Sequence, residues 1–226
     1  MLASFILIST VVLKFEEGAA ITLLVTGALA LLAIAIKRHY LHTAKLLQRL
    51  NELVQTAAAV VSEEAPKEAA NRFDPEAKTA ILLVNGFNGL GLHTLFNVIR
   101  LFGKEFRNFV FVEIGVVDAG NFKGVEEMDR LKEQAQKGVE RYVEFMRKSG
   151  YYAEGHSYVG IDVIEEVEKI SEDILKRYPG AVFFGGQLVF PEETLLTRWL
   201  HNHTVFTLQR KFYHKGIPFV ILPIRV

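Results

Sequence analysis

Residues 79–102 read TAILLVNGFNGLGLHTLFNVIRLF. Thr79–Val84 is a continuous apolar run, the pattern of a strand buried on both faces of a parallel sheet. Gly86, Gly89 and Gly91 follow at once, and glycine admits the positive-φ turns that other residues resist. A helix is expected over Leu92–Phe102. Strand, glycine turn and helix form the opening unit of a doubly wound sheet. The alternation continues toward the C-terminus. Strands are expected at Phe109–Val117, Tyr151–Val159, Ala181–Val189 and Pro218–Ile224, with helices at Val125–Lys148, Asp162–Tyr178 and Glu192–Tyr213. Five strands with four intervening helices predict an α/β domain, residues 79–226, built on a doubly wound five-stranded parallel sheet.

Toward the N-terminus the composition changes. Residues 62–78 turn to Glu, Ala, Pro and Lys, with Pro66 and Pro75 interrupting regular structure, and read as a linker. Residues 37–61 carry Leu46, Leu47, Leu50, Leu53 and Val54 at helical spacing. They predict an amphipathic connecting helix that continues the spanning one, packed on a partner or on its own domain, or else a mere spacer. Residues 1–36 hold almost no charge. Ala19–Ile36 is close to the length a spanning helix needs, whereas Leu2–Leu13 is the end of another, and Lys14–Gly18 is a charged turn between them. A transmembrane helical hairpin is therefore expected. Lys37, Arg38, Lys45 and Arg49 follow the second run, so the positive-inside rule places residues 37–226 in the cytoplasm and the hairpin in the inner (plasma) membrane. No basic n-region precedes the first run, which argues against a cleaved signal peptide.

Composition removes several function classes. The 226-residue chain has 26 basic and 26 acidic side chains and no basic stripe interleaved with aromatics, which disfavours nucleic-acid binding. It has no cysteine, so thiolate catalysis and cysteine metal sites are excluded. His201 and His203 lie two apart and face different sides of a helix, so they do not make a helical zinc pair. Glu126–Glu127 and Glu165–Glu166 read as solvated helix faces. No Ser-His-Asp arrangement or paired carboxylates emerge, and the chain is not expected to be an enzyme.

Lys14-Phe15-Glu16-Glu17-Gly18, Ile21–Gly27 and Lys37-Arg38-His39-Tyr40 together resemble the last transmembrane helix of bacterial permeases of the amino acid–polyamine–organocation superfamily. Ala19-Ala20 stand where that pattern has Gly-Trp. The resemblance continues through Val84–Thr94 and Asp118–Gly124 to Ile221–Val226. It implies the C-terminal portion of an amino acid permease-like transport protein, whose cytoplasmic domain regulates or assembles the transporter. The implied partners are the lipid bilayer and either a transporter body or a second copy, the latter through an edge strand at Pro218–Val226. The helices that hold the family's transport sites are absent from this sequence, so no substrate-binding residue carries over. The order of elements from residue 79 is similar to the universal stress protein domain, which implies strand order 3-2-1-4-5. Members of that family that bind ATP carry an aspartate where this chain has Asn85, and Gly185-Gly186 lack the further glycine of their motif.

Ligands of such sheets bind beyond the carboxyl ends of the strands, where the order reverses. The candidate residues are Asn85, Gly86, Asn88, Gly89, Gly91 and Thr94 after the first strand, and Asp118 and Lys123 after the second. Two readings of the glycine loop stand: exposed amides and a helix dipole that hold an anion, or a structurally demanding turn. Asp118 suits either a ribose hydroxyl or the cap of the next helix, and Lys123 suits a phosphate. No cofactor is expected beyond an adenine nucleotide. The alternative function is thus a membrane-tethered sensor of ATP or of a cyclic dinucleotide, which some related potassium permeases sense through a similar domain.

Overall fold

The computed structural model describes residues 19–63, 72–102, 105–117, 124–190 and 204–225. Helix α1 spans Ala19–Glu63 without interruption, 45 residues and about 68 Å at 1.5 Å per residue. The apolar run and the amphipathic stretch are therefore one helix. Within it, Ile21–Leu46 is long and apolar enough to cross a membrane, the one such helix among the described residues. Its apolar side chains face outward: Ile21, Leu24 and Leu31 are all about 70% exposed, the opposite of what water tolerates over so long a helix. The first arm of the expected hairpin, Leu2–Leu13, and its turn, Lys14–Gly18, lie outside the described residues. The expected linker begins as helix and ends as strand, since α1 runs through Ser62 to Glu63 and β1 opens at Lys78.

The α/β region contains β1 (Lys78–Val84), α2 (Gly89–Phe102), β2 (Phe106–Val116), α3 (Val125–Lys148), β3 (Tyr152–Gly160), α4 (Val163–Arg177), β4 (Val182–Val189), α5 (Thr204–His214) and β5 (Phe219–Arg225). All five strands are parallel, in the order β3-β2-β1-β4-β5. This is the universal-stress-protein-like order. Central β1 pairs with β2 on one side (Ile81 with Val110) and with β4 on the other (Ile81 with Phe183). The chain thus winds first one way and then the other from β1, which opens a crevice at the reversal.

Alternate residues of each strand feed two cores. Ala80, Leu82, Phe109, Phe111 and Phe184 pack under α2 and α3, with Leu92, Leu95, Val139, Tyr142 and Met146. Ile81, Val110, Val112 and Phe183 pack under α4 and α5, with Val167, Ile174, Leu208 and Phe212. Burial on both faces is why residues 80–84 of β1 and 109–112 of β2 are apolar. Before β1, the wholly buried Asn108 of β2 accepts from the Asp74 amide (3.0 Å) and donates to the Asp74 carbonyl (2.7 Å). That pair of bonds pins residues 74–77 to the sheet.

Helix α2 begins at Gly89, three residues before the expected start, because Asn88 supplies its cap. Of the expected helix Glu192–Tyr213, the described part is Thr204–His214; residues 191–203, with His201 and His203, lie outside the described residues.

Candidate functional site

A cleft of about 740 Å³ opens at the carboxyl ends of β1, β2 and β4. Apolar residues of both cores reach it, Val84 on one side of the sheet and Ile114 and Val167 on the other. Asn85, Asn88, Gly91 and Thr94 line it, so four of the eight candidate residues come together there. Gly86 and Gly89 belong to the same turn but do not line the cleft. Asp118 and Lys123 lie outside the described residues.

The local geometry gives each loop residue a structural task. Gly86 takes φ +70°, a left-handed conformation that side chains other than glycine resist. Asn88 caps α2: its Oδ1 accepts from the Gly91 amide at 3.0 Å, and its Nδ2 donates to the Asn85 carbonyl at 2.5 Å. The Asn88 carbonyl accepts the Leu92 amide at 3.0 Å. The Gly91 amide, one of those an anion would need at this helix start, is therefore already engaged. Gly91 has no side chain because the Tyr142 hydroxyl occupies the place where a Cβ would sit. That hydroxyl donates to the Gly86 carbonyl at 3.1 Å and lies 3.4 Å from the Asn88 amide. Its ring stacks on Phe111 with centroids 4.9 Å apart and is flanked by Phe87, over which Arg141 sits at 4.2 Å. Thr94 is 2% exposed, donates to the Leu90 carbonyl at 2.7 Å and packs where a Cβ on Gly186 of β4 would fall. Gly186 lets α2 lie against the sheet.

The loop reading alone misses Glu113. It sits in β2 on the α2–α3 side, lines the cleft and is only 6% exposed. Its Oε2 has no hydrogen-bond partner. Burial pushes the carboxyl up to about 7, and a hydrogen bond from the Gly86 backbone opposes that rise. The carboxyl fits because α3 carries Gly138 opposite it, where any Cβ would collide with Oε2. Burial also pushes the Tyr142 phenol up, against the Asn88 backbone hydrogen bond and with help from the nearby Glu113 charge. One signal in the sequence marked Glu113: a single charge inside the apolar run Phe109–Ile114, at a position of the same parity as Phe109 and Phe111.

A second polar cluster lies on the edge strand β3. Glu154 accepts from Tyr178 (2.6 Å) and Tyr152 (2.7 Å), and Arg177 approaches it at 2.7 Å. Burial raises this carboxyl, but the two phenols, Arg177 and His156 together hold it below its ordinary value. The cluster satisfies itself and points to structure. Among the described residues there is no group of three or more metal-ligating side chains.

No protein-family model and no curated protein matches the chain. Among solved structures, a protein of the universal stress protein family from Burkholderia pseudomallei is similar at 16% identity and a TM-score of 0.45. The match covers 64% of this chain and 96% of that one.

Proposed function

We propose that the chain is a membrane-tethered sensor: a regulatory, non-catalytic α/β domain that takes a nucleotide, ATP or a cyclic dinucleotide, and is held at the cytoplasmic face of the inner membrane by α1. The observation that carries this reading is the cleft at the carboxyl ends of β1, β2 and β4, where the strand order reverses and α/β sheets hold their ligands. The tether rests on the outward apolar surface of Ile21–Leu46, and the orientation on the basic residues Lys37, Arg38, Lys45 and Arg49. Isothermal titration of the whole chain in detergent micelles with ATP and with cyclic di-adenosine monophosphate tests it. Micromolar binding of either, weakened by Gly89→Val, supports a sensor. No heat from a folded chain overturns it.

A second reading is favoured by Lys14–Gly18 and Lys37–Tyr40: the C-terminal portion of an amino acid permease, with the α/β domain regulating or assembling a transporter body. The two readings are compatible, since a sensor on a transporter is a regulator of it. A contiguous upstream reading frame encoding about ten further helices supports the permease, as a spanning helix takes ~20 apolar residues. An upstream frame for an unrelated soluble protein, with no transporter recovered by cross-linking in membranes, overturns it.

A further inference from the structure

The two edges of the sheet are built differently. At one edge, β5 carries Pro223, exposed near its middle, and closes on Arg225. A proline and a charge keep an edge from pairing with another chain, so the edge that the sequence offers for self-association, Pro218–Val226, is blunted. At the other edge, β3 has neither proline nor lysine over its nine residues, and it follows β2 in unbroken register from Tyr152 to Gly160. Among the described residues no strand pairs with its outer side. Its carboxylate, Glu154, is already compensated within the copy by Tyr152, Tyr178 and Arg177, so it does not repel an incoming strand. An open edge of this length is a template for a further strand.

We propose that the further strand is β3 of a second copy, running antiparallel about a twofold axis at Gly155 and joining the two sheets into one. The proposal goes beyond the sensor reading and does not depend on it. The pattern of β3 selects this occupant, because about that axis its residues face complementary ones of the second copy. On the α4 side Glu154 faces His156, and Tyr152 faces Tyr158, each pair formed twice. On the α3 side Ala153 faces Ser157 and Gly155 faces itself, so nothing bulky meets at the axis. Within one copy His156 Nε2 lies 3.4 Å from Glu154 Oε1, so the axis sets carboxylates and imidazoles in alternation. An axis one residue on, at His156, loses this, since the two imidazoles then oppose each other. Beside the same point a groove of about 560 Å³ opens between α3 and β3, at Glu154 and Gly155. Both signs of charge line it, Glu140 and Glu144 with Arg147 and Lys148, which suits a surface that meets itself.

The test uses the whole chain in detergent micelles, where sedimentation equilibrium is expected to give a dimer. The chain has no cysteine, so single introduced thiols report position cleanly. With Ser157→Cys the two thiol-bearing residues stand about 13 Å apart along the paired strands, four residues of strand, and a bismaleimide of that reach is expected to join them. With Arg225→Cys, on the other edge, the counterparts lie about 40 Å apart at the strand spacing of a continuous sheet, and are expected not to be joined. His156→Glu sets like charges against Glu154 and is expected to raise the dimer dissociation constant by about tenfold or more. His156→Lys keeps opposite charges and is expected to retain the dimer. A wild type that stays monomeric overturns the proposal. So does a dimer joined at Arg225→Cys, or at neither position, since its contact then lies elsewhere, α1 included. A monomer that cross-links in native membranes only to a different protein also overturns it, because the edge then takes another strand. Hydrogen exchange of the wild type above and below the dissociation constant decides the matter even where a variant does not fold. Residues 152–160 are expected to slow in the dimer and residues 219–225 are not, and no slowing across 152–160 overturns the proposal.

Discussion

Replacing Glu113 with glutamine removes a proton-binding group and little else, and its effect on stability is set by the difference between two pKa values. Glu113 titrates at 4.5 in an unstructured chain and is raised to about 7 in the fold, mainly by burial. An acid with a raised folded-state pKa binds its proton more tightly when folded. Its contribution is therefore fully present below 4.5 and is lost as the pH rises through 7. Linkage over pH 5 to pH 8 then gives a loss of about 2.5 kcal/mol, since each unit of difference is worth about 1.4 kcal/mol. Glutamine has no such dependence. Urea unfolding of the full chain and of Glu113→Gln, both in micelles and followed by far-ultraviolet circular dichroism, reads the difference directly. The variant is expected to gain on the wild type steadily from pH 5 to pH 8, by about 2.5 kcal/mol in total. A difference that stays constant with pH, or a wild type that gains on the variant as pH rises, refutes the reasoning.

The three loop residues respond to different physics. Gly91→Ala places a methyl group on the Tyr142 hydroxyl and is expected to cost about 1–3 kcal/mol in thermal or urea unfolding, as overpacking does. Gly86→Ala meets nothing closer than 4.0 Å, so only its φ of +70° resists, and the cost is expected near 1 kcal/mol. Asn88→Ala removes the cap on α2 and is expected to cost about 1 kcal/mol, whereas Asn88→Asp retains an acceptor and loses less. Tyr142→Phe deletes the bond to the Gly86 carbonyl, with an expected loss of about 1 kcal/mol measured the same way.

The sheet was legible because β1 and β2 are buried on both faces, so residues 80–84 and 109–112 are apolar runs that no amphipathic helix would show. β3 read as the weaker strand, and it stands at the edge of the sheet with Glu154 and His156 half-buried. Helix boundaries were less legible. The glycines of 86–91 suggested a long loop, while the Asn88 side chain starts the helix inside it. The site was the least legible part. Gly91 is a glycine because of Tyr142, and Glu113 is tolerated because of Gly138, and in each case the partner lies on α3, far along the chain. Spacing along the sequence carries no record of such a contact. The apolar character of Ala19–Ile36 was plain, and the helical spacing of Leu46, Leu47, Leu50, Leu53 and Val54 already pointed to a continuation of the same helix, which runs to Glu63.

The most direct test of a membrane-tethered nucleotide sensor is hydrogen exchange of the intact chain in lipid nanodiscs, with and without saturating ATP. The account predicts slowed exchange confined to residues 84–92 and 112–117, the ends of β1 and β2 with the start of α2. No change in exchange anywhere in the α/β domain, or protection only around β3 and residues 136–155, would contradict it.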